Sequence, residues 1–351
     1  MDNYEDRLKS ALINQHKKWF DHNTRSLRPE HAQEINCPVC DLAAHKLYFQ
    51  KDWFKFVKCS ECGMVFLNPR LNEKATYDFY NSEWTAIYNE RKFDAVPRTI
   101  KLDDIINETN LNLLENFADK RTDGNRGNLL EIGTGSGFFI RKAVEHGYNA
   151  YGVELNYNNC MKVKDLLGDN IINADLYSAR FSARMFDVIY MRDVFEHVPD
   201  PKRMLYEMNR IANDGCVIYI EVPNIEGLIY KIVKEKHVCV FGFEHLNYWS
   251  PQSLARILGT CGFEVAEIKH ESLDFTLSRL LAHFCEASFT SIEPVHYPAI
   301  VKLLARFVSL GFSLPLLSTI DKRLTPLIAD SMRRGSVIKT IARKTGDILL
   351  I

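Results

Sequence analysis

The stretch LEIGTGSG, residues 130–137, constrains the fold of this chain more than any other part of it. An apolar strand runs into glycines at positions 133, 135 and 137, and a helical pattern follows. Glycine lets a backbone turn sharply and lets a ligand approach closely, and a helix start offers unpaired N–H groups. The spacing is GxGxG. The dinucleotide fingerprint GxGxxG needs a glycine at the position where Phe138 stands. Glu131 lies two residues before the first glycine. A carboxylate there repels a pyrophosphate and attracts a cationic ligand that carries an amino group. The plain alternative is a strand-to-helix turn that binds nothing.

From residue 128 apolar strands and helices alternate. The pattern predicts strands at 129–132, 150–154, 171–172, 186–191, 216–222 and 263–268, and helices at 137–146, 157–167, 201–212 and 251–261. Strands separated by helices of about 10–15 residues imply parallel βαβ units in a doubly wound sheet. Ligands of such sheets bind beyond the carboxyl ends of the strands. Those ends carry Glu154 in GVELN, Asp175 in INADL, and Asp193 with Glu196 and His197 in MRDVFEHV. Glu154 is placed to accept from both hydroxyls of a ribose, and Asp175 from an adenine amino group. A surface acid at a strand end and an ordinary loop aspartate are the bland readings of these two. Arg141 and Arg192 read as solvated.

EIGTGSG, GVELN, FDVIYMRDVFEHVPDP and GCVIYIEVPN, in this order and spacing, resemble the class I S-adenosylmethionine-dependent methyltransferases. The resemblance covers about residues 125–270 and a final strand. It implies S-adenosyl-L-methionine as cofactor and an α/β, Rossmann-like, doubly wound sheet of seven strands with the last one antiparallel. It also implies that Glu131, Gly133, Gly135 and Gly137 cradle the methionine part, Glu154 the ribose and Asp175 the adenine, with Asp193 in the loop over the donor.

Two CxxC pairs, Cys37-Pro-Val-Cys40 and Cys59-Ser-Glu-Cys62, stand eighteen residues apart. That is the spacing of a zinc ribbon. Four thiolates close a tetrahedron around Zn2+ and leave no position for water, so the expected site is structural. Its use is to stabilise residues 36–70, a segment too small to fold on its own core. Disulfides or a redox CxxC are the alternatives. The total of nine cysteines is odd, and the N-terminal MDNYEDRLKS has acids and no apolar run, so a reducing, cytoplasmic setting is expected. The other five cysteines read as core fillers. The ribbon followed by GMVFLNPR resembles the zinc-binding N-terminal segments of methyltransferases that act on sugars and small metabolites, and those of some ribosomal-RNA methyltransferases.

Transfer from a sulfonium to a hydroxyl or carbon acid needs a general base near pH 7, and histidine is suited to it. Among the 11 histidines, His245 is the best placed, in FEHLNYWSP between the fifth strand and a helix opened by Ser250 and Pro251. Glu244 or Asn247 would orient the ring, and Tyr248 would hydrogen-bond an acceptor. The Glu-His-x-x-Tyr stretch resembles one in zinc-bearing sugar C-methyltransferases, where the histidine is the base. Gly242 departs from them, since they carry a tyrosine there, and this leaves O-methylation open. His197 is the second candidate, with scaffold as its alternative role; so is a helix-capping loop histidine for His245.

The expected organisation is an N-terminal helix (1–35), the zinc ribbon (36–70), a helical linker or cap (71–125), the cofactor-binding core (126–270), a helical insertion or lid (271–345) and a terminal strand (346–351). Seven basic residues between Lys322 and Lys344 face one acid, Asp330. A solvated helix face is the default, and contact with a phosphorylated or nucleotide-linked acceptor is the sharper reading. The apolar run 307–320 is 14 residues with a glycine and a proline, short of the roughly 20 that span a bilayer. Lys plus Arg is 44 and Asp plus Glu is 45, so no global field favours nucleic acid. The function expected is methyl transfer to a small molecule, a sugar or sugar nucleotide in polysaccharide or natural-product synthesis. An RNA methyltransferase using the ribbon as its RNA-binding module, and a non-catalytic cofactor-binding protein, are the rivals.

Overall fold

The computed structural model describes residues 4–93, 97–118, 126–237, 239–271 and 335–347. The chain divides into two compact units. The first holds residues 1–92, 223–250 and 269–338; the second holds residues 93–222, 251–268 and 339–351.

The second unit is built on a sheet of seven strands. In chain order they are β1 (Asn128–Ile132), β2 (Asn149–Val153), β3 (Ile171–Ile172), β4 (Phe186–Arg192), β5 (Ala212–Pro223), β6 (Phe263–Glu271) and β7 (Val337–Lys344). The spatial order is β3-β2-β1-β4-β5-β7-β6. The pairs β3–β2, β2–β1, β1–β4 and β4–β5 are parallel. Four of the five residues of β1 are buried, as expected of a central parallel strand covered on both faces. Among the described residues this unit has five α-helices: α1 (Pro97–Glu115), α2 (Phe138–Glu145), α3 (Tyr157–Leu167), α4 (Pro201–Ile211) and α5 (Pro251–Thr260). Their starts are chemically marked. The Asn156 side chain accepts from the Asn159 N–H at the start of α3, and Asp200 caps α4 ahead of Pro201.

Three results differ from the sequence expectation. First, α1 is part of the core and not a linker. Leu111 and Leu114 are fully buried and share one apolar cluster with Leu129, Phe139 and Tyr190. Second, the last strand is Val337–Lys344 rather than 346–351. Its beginning lies at the end of β5, where the Asn224 N–H reaches the Ser336 carbonyl at 2.9 Å. Its end lies at the start of β5, where the Lys344 ammonium reaches the Ala212 carbonyl at 3.1 Å. It therefore runs antiparallel to β5, as the resemblance implied. Third, Lys339, Arg343 and Lys344 are strand residues and not a solvated basic helix face. Lys339 and Lys344 are buried, and Arg343 donates to the Phe117 carbonyl. The remaining basic residues of that group, the run 307–320 and most of the expected helical insertion lie outside the described residues.

In the first unit, four strands pair in the order Asn247–Tyr248, Val65–Leu67, Phe54–Cys59, His45–Lys51. Each of these three pairs is antiparallel. This sheet does not stand alone. Phe54 and Phe56 share a core with Trp19 from the helix Tyr4–Trp19, Phe79 from the helix Glu73–Tyr80, and Phe241 and Phe243. The cysteine segment is thus one wall of a larger aromatic core. No helix among the described residues is long and apolar enough to cross a membrane.

Candidate functional site

The loop after β1 is built from three glycines with left-handed backbones, φ 76° at Gly133, 50° at Gly135 and 78° at Gly137. Their surroundings differ. A Cβ on Gly133 would lie 2.6 Å from a methyl of Val194, and one on Gly137 would lie 2.0 Å from a methyl of Val163. Those two are glycines because protein packs against them. A Cβ on Gly135 would meet nothing within 4 Å among the described residues. Gly135 therefore faces open volume, as a residue beside a ligand does.

Glu154 closes the far side of this loop. One carboxylate oxygen accepts the Gly135 N–H and the other the Asn156 N–H, both at 2.8 Å. The carboxylate ties the glycine loop to the end of β2, and each oxygen keeps a second lone pair for a ligand. Asn173 fixes the same turn by donating to the Glu154 carbonyl at 2.7 Å. Asp175 is exposed, and one of its oxygens accepts the Ser178 N–H at 2.6 Å. Asp193 is exposed too, with φ 53°, and its N–H is held by the Glu221 carbonyl at 3.0 Å.

Glu131 is 5% exposed, and its Oε2 has no hydrogen-bond partner among the described residues. An orphaned buried carboxylate oxygen is costly. Burial pushes the Glu131 carboxyl well above its usual range, while Arg192 opposes this and Glu154 adds to it. The buried carboxyl of Glu131 and the Glu154 carboxylate that holds Gly135 thus fit a ligand with a positive amino group.

Arg192 is the residue that sequence reasoning missed. Its side chain is only 25% exposed, and its guanidinium donates to the Asn107 Oδ1 of α1 at 2.9 Å. Burial works against its charge, but Tyr190, Glu221, Asp193 and Asp103 outweigh that and hold its pKa above the usual arginine value. The sequence signal was its place at the last residue of a strand whose tip faces the site. Arg141 is exposed, as expected. His197 is half-buried, with Nε2 3.9 Å from the Glu196 carboxylate.

The first unit carries the other candidates. Sγ of Cys37 lies 3.4 Å from that of Cys62, and Sγ of Cys40 lies 3.5 Å from that of Cys59. All four sulfurs lie within 4.8 Å of one another. Zinc with Zn–S of about 2.3 Å has tetrahedral edges of about 3.8 Å, close to these separations. Each CxxC closes with the same bond, Asp41 N–H to the Cys37 carbonyl and Gly63 N–H to the Cys59 carbonyl. Asp41 and Gly63 both take positive φ directly after the second cysteine of their pair. Burial pushes the Cys37 thiol up, and it pushes Cys62 to about 11. Burial also acts on Cys59, but the N–H groups of Cys62 and Glu61 bring it to about 7. Four clustered, unbridged cysteines with these environments suit a divalent cation, whose charge stabilises the thiolates that burial disfavours.

Glu244 and His245 are half-buried, and the His245 N–H is held by the Phe241 carbonyl at 2.9 Å. Tyr248 is buried, with its ring packed edge-on against Phe56 at 5.2 Å. Asn247 and Tyr248 pair with Phe66 and Val65, so the loop bearing His245 is anchored on the cysteine sheet. Lys51, which burial brings down to about 8, holds the segment leading to that loop by donating to the Val240 carbonyl at 2.7 Å.

Residues 104–268 match a family model described as a methyltransferase domain. The chain is a methyltransferase. The matched span contains β1 to β5, the glycine loop, Glu131, Glu154, Asp175 and Arg192 of this methyltransferase. A ubiquinone biosynthesis O-methyltransferase of Coxiella burnetii is 25% identical over 181 residues, which are 46% of this chain and 76% of that protein. Another, from Paraburkholderia phymatum, is 23% identical over 155 residues, 40% of this chain and 66% of that protein. Among solved structures, a methyltransferase from Archaeoglobus fulgidus aligns with a TM-score of 0.44 at 18% identity, covering 74% of this methyltransferase and 99% of that chain.

Proposed function

We propose that this methyltransferase acts on a hydroxyl of a small molecule, a sugar or sugar nucleotide, with His245 as general base. The observation that carries the reading is the loop 241–248. It joins the candidate base to the cysteine sheet through Asn247 and Tyr248, and it has no room for a tyrosine at Gly242. A Cβ there would lie 2.5 Å from the Phe54 ring. The tyrosine that the resembling sugar C-methyltransferases carry there would clash, which favours O-methylation.

When bound, S-adenosylmethionine supplies an electrophilic methyl group on a sulfonium. The chain's own residues do the rest. Gly133, Gly135 and Gly137 shape the loop beside the methionine part, and Glu131 accepts from its ammonium. Glu154 accepts from the ribose hydroxyls with the lone pairs that Gly135 and Asn156 leave over. Asp175 accepts from the adenine amino group with its second oxygen, and Asp193 lies in the loop over the donor. His245 takes the acceptor's proton at a ring nitrogen. Glu244 orients the ring, and buried Tyr248 fixes the strand that carries it. His197, beside Glu196, is the second candidate base. Zinc on Cys37, Cys40, Cys59 and Cys62 holds the sheet together and takes no part in the transfer.

Methyl transfer should be measured with a panel of nucleotide sugars and free sugars, comparing wild type with His245→Asn. The expected result is a turnover loss of about 10²–10⁴-fold with S-adenosylhomocysteine affinity unchanged. A variant that turns over at the wild-type rate overturns the assignment of the base. Glu154→Ala should weaken S-adenosylhomocysteine binding at least tenfold, because it removes one charge-assisted acceptor worth about 1.5–3 kcal/mol. Calorimetry giving equal affinities would remove Glu154 from the donor site.

A further inference from the structure

Charge alternates along one face of the sheet. Glu131 on β1, Tyr190 on β4 and Tyr219 on β5 lie in one row, since Tyr190 is in register with both of the others. Two residues further on, Arg192 is in register with Glu221. Side chains two apart on a strand share a face, so Arg192 sits on the same face as Glu131, between two buried carboxylates. Helix α1 covers this face. Asn107 accepts from Arg192, and Asn110 donates to the Tyr190 hydroxyl at 3.0 Å and to the Glu221 carboxylate at 3.2 Å. Tyr219 donates to the same Glu221 oxygen at 2.5 Å, and Lys339 on β7 donates to the Asn110 Oδ1 at 2.9 Å. Glu221 is therefore satisfied by neutral donors and by Lys339 acting through Asn110. Glu131 has an orphaned oxygen.

We propose that Arg192 is a positioning residue for the methyl donor: held by α1, its guanidinium supplies the positive field that lets buried Glu131 present a carboxylate to the donor's ammonium. The proposal rests on the reading of Glu131 given above. The charged and titratable groups facing this pair are Glu154 from β2, Tyr190 from β4, Asp193 just beyond β4, Tyr219 and Glu221 from β5, Asp103 from α1 and Lys339 from β7. Acids outnumber bases among them. Without Arg192 both burial and Glu154 drive Glu131 toward its neutral form. A neutral carboxyl offers the ammonium a weaker partner and loses the charge pairing.

The test is calorimetry across pH with S-adenosylhomocysteine, and with 5′-methylthioadenosine, which lacks the ammonium and carboxylate. The proteins are wild type, Arg192→Met, Arg192→Lys and the Glu131→Gln versions of the first two. Comparing variants at the same pH cancels the ligand's own titration. Near pH 7, Arg192→Met should weaken S-adenosylhomocysteine at least tenfold, the loss expected when the carboxyl titrates one unit higher. The loss should shrink as pH rises and Glu131 ionises. Methylthioadenosine should bind equally to all, Arg192→Lys should restore most of the affinity, and Arg192→Met should cost nothing further once Glu131 is glutamine. A loss independent of pH, as direct contact between Arg192 and the donor's carboxylate would give, overturns the proposal. So does an equal loss of methylthioadenosine, the mark of a merely structural role. Wild-type protein that binds neither ligand overturns the donor-site reading itself, and the proposal with it.

Discussion

On the proposed zinc site, serine at any one of Cys37, Cys40, Cys59 or Cys62 is expected to abolish zinc binding and unfold the sheet that anchors the His245 loop. Structural zinc contributes about 10–16 kcal/mol to the folding of small sites at neutral pH. A domain's whole stability is about 5–15 kcal/mol. The loss should spread, because the strand Phe54–Cys59 ends on a ligand and also supplies Phe54 and Phe56 to the aromatic core. Its neighbour Val65–Leu67 pairs with Asn247–Tyr248. Elemental analysis should find about one zinc per wild-type chain and none in Cys59→Ser. Turnover should vanish in the variant while S-adenosylhomocysteine still binds, since the strands that lead to the proposed donor residues share a separate apolar core. Wild-type protein that is metal-free and melts at the same temperature as Cys59→Ser would refute the site.

Valine at Gly137 should abolish donor binding and destabilise the second unit. The residue has φ 78°, where a side chain costs about 1–2 kcal/mol in backbone strain alone. Its Cβ would also lie 2.0 Å from a Val163 methyl. Either α3 moves or the glycine loop does, and the loop is the piece whose Gly135 N–H is tied to Glu154. Alanine at Gly135 separates the two effects. It carries similar strain but meets nothing within 4 Å among the described residues, so its Cβ enters the space assigned to the donor. Thermal melts and calorimetry should show Gly137→Val losing both stability and binding, and Gly135→Ala losing mainly binding. A Gly137→Val protein that binds S-adenosylhomocysteine normally would contradict the loop's assignment.

The glycine loop, the parallel strands up to β5 and the paired cysteines were legible because each is a local pattern. A GxGxG turn declares its positive φ values within a few residues, and a parallel strand declares itself by an unbroken apolar run. The last strand was not legible. VIKTIARK carries three cations, and in isolation it reads as the polar face of a helix. Lys339 and Lys344 are buried instead because Asn110 and the Ala212 carbonyl, more than a hundred residues away, receive their ammonium groups. Arg192 was misjudged for the same reason: its partners Asn107 and Asp103 come from a helix that sequence reading placed outside the core. Sequence spacing placed Glu131 and Glu154 at strand ends, but only the tertiary structure shows that one has an oxygen without a partner among the described residues and the other already holds two N–H groups.

The position of β7 between β5 and β6 bears on how this enzyme is made. Strands β5 and β6 are synthesised with a vacant slot between them, and the piece that fills it is the last of the seven to be translated. Until the ribosome has passed Lys344, two strand edges with unmet hydrogen bonds await their neighbour, and such edges invite pairing between nascent chains. A premature stop before residue 337 should therefore give an aggregating product rather than a smaller working enzyme, even though every residue proposed for the donor site would already have been made.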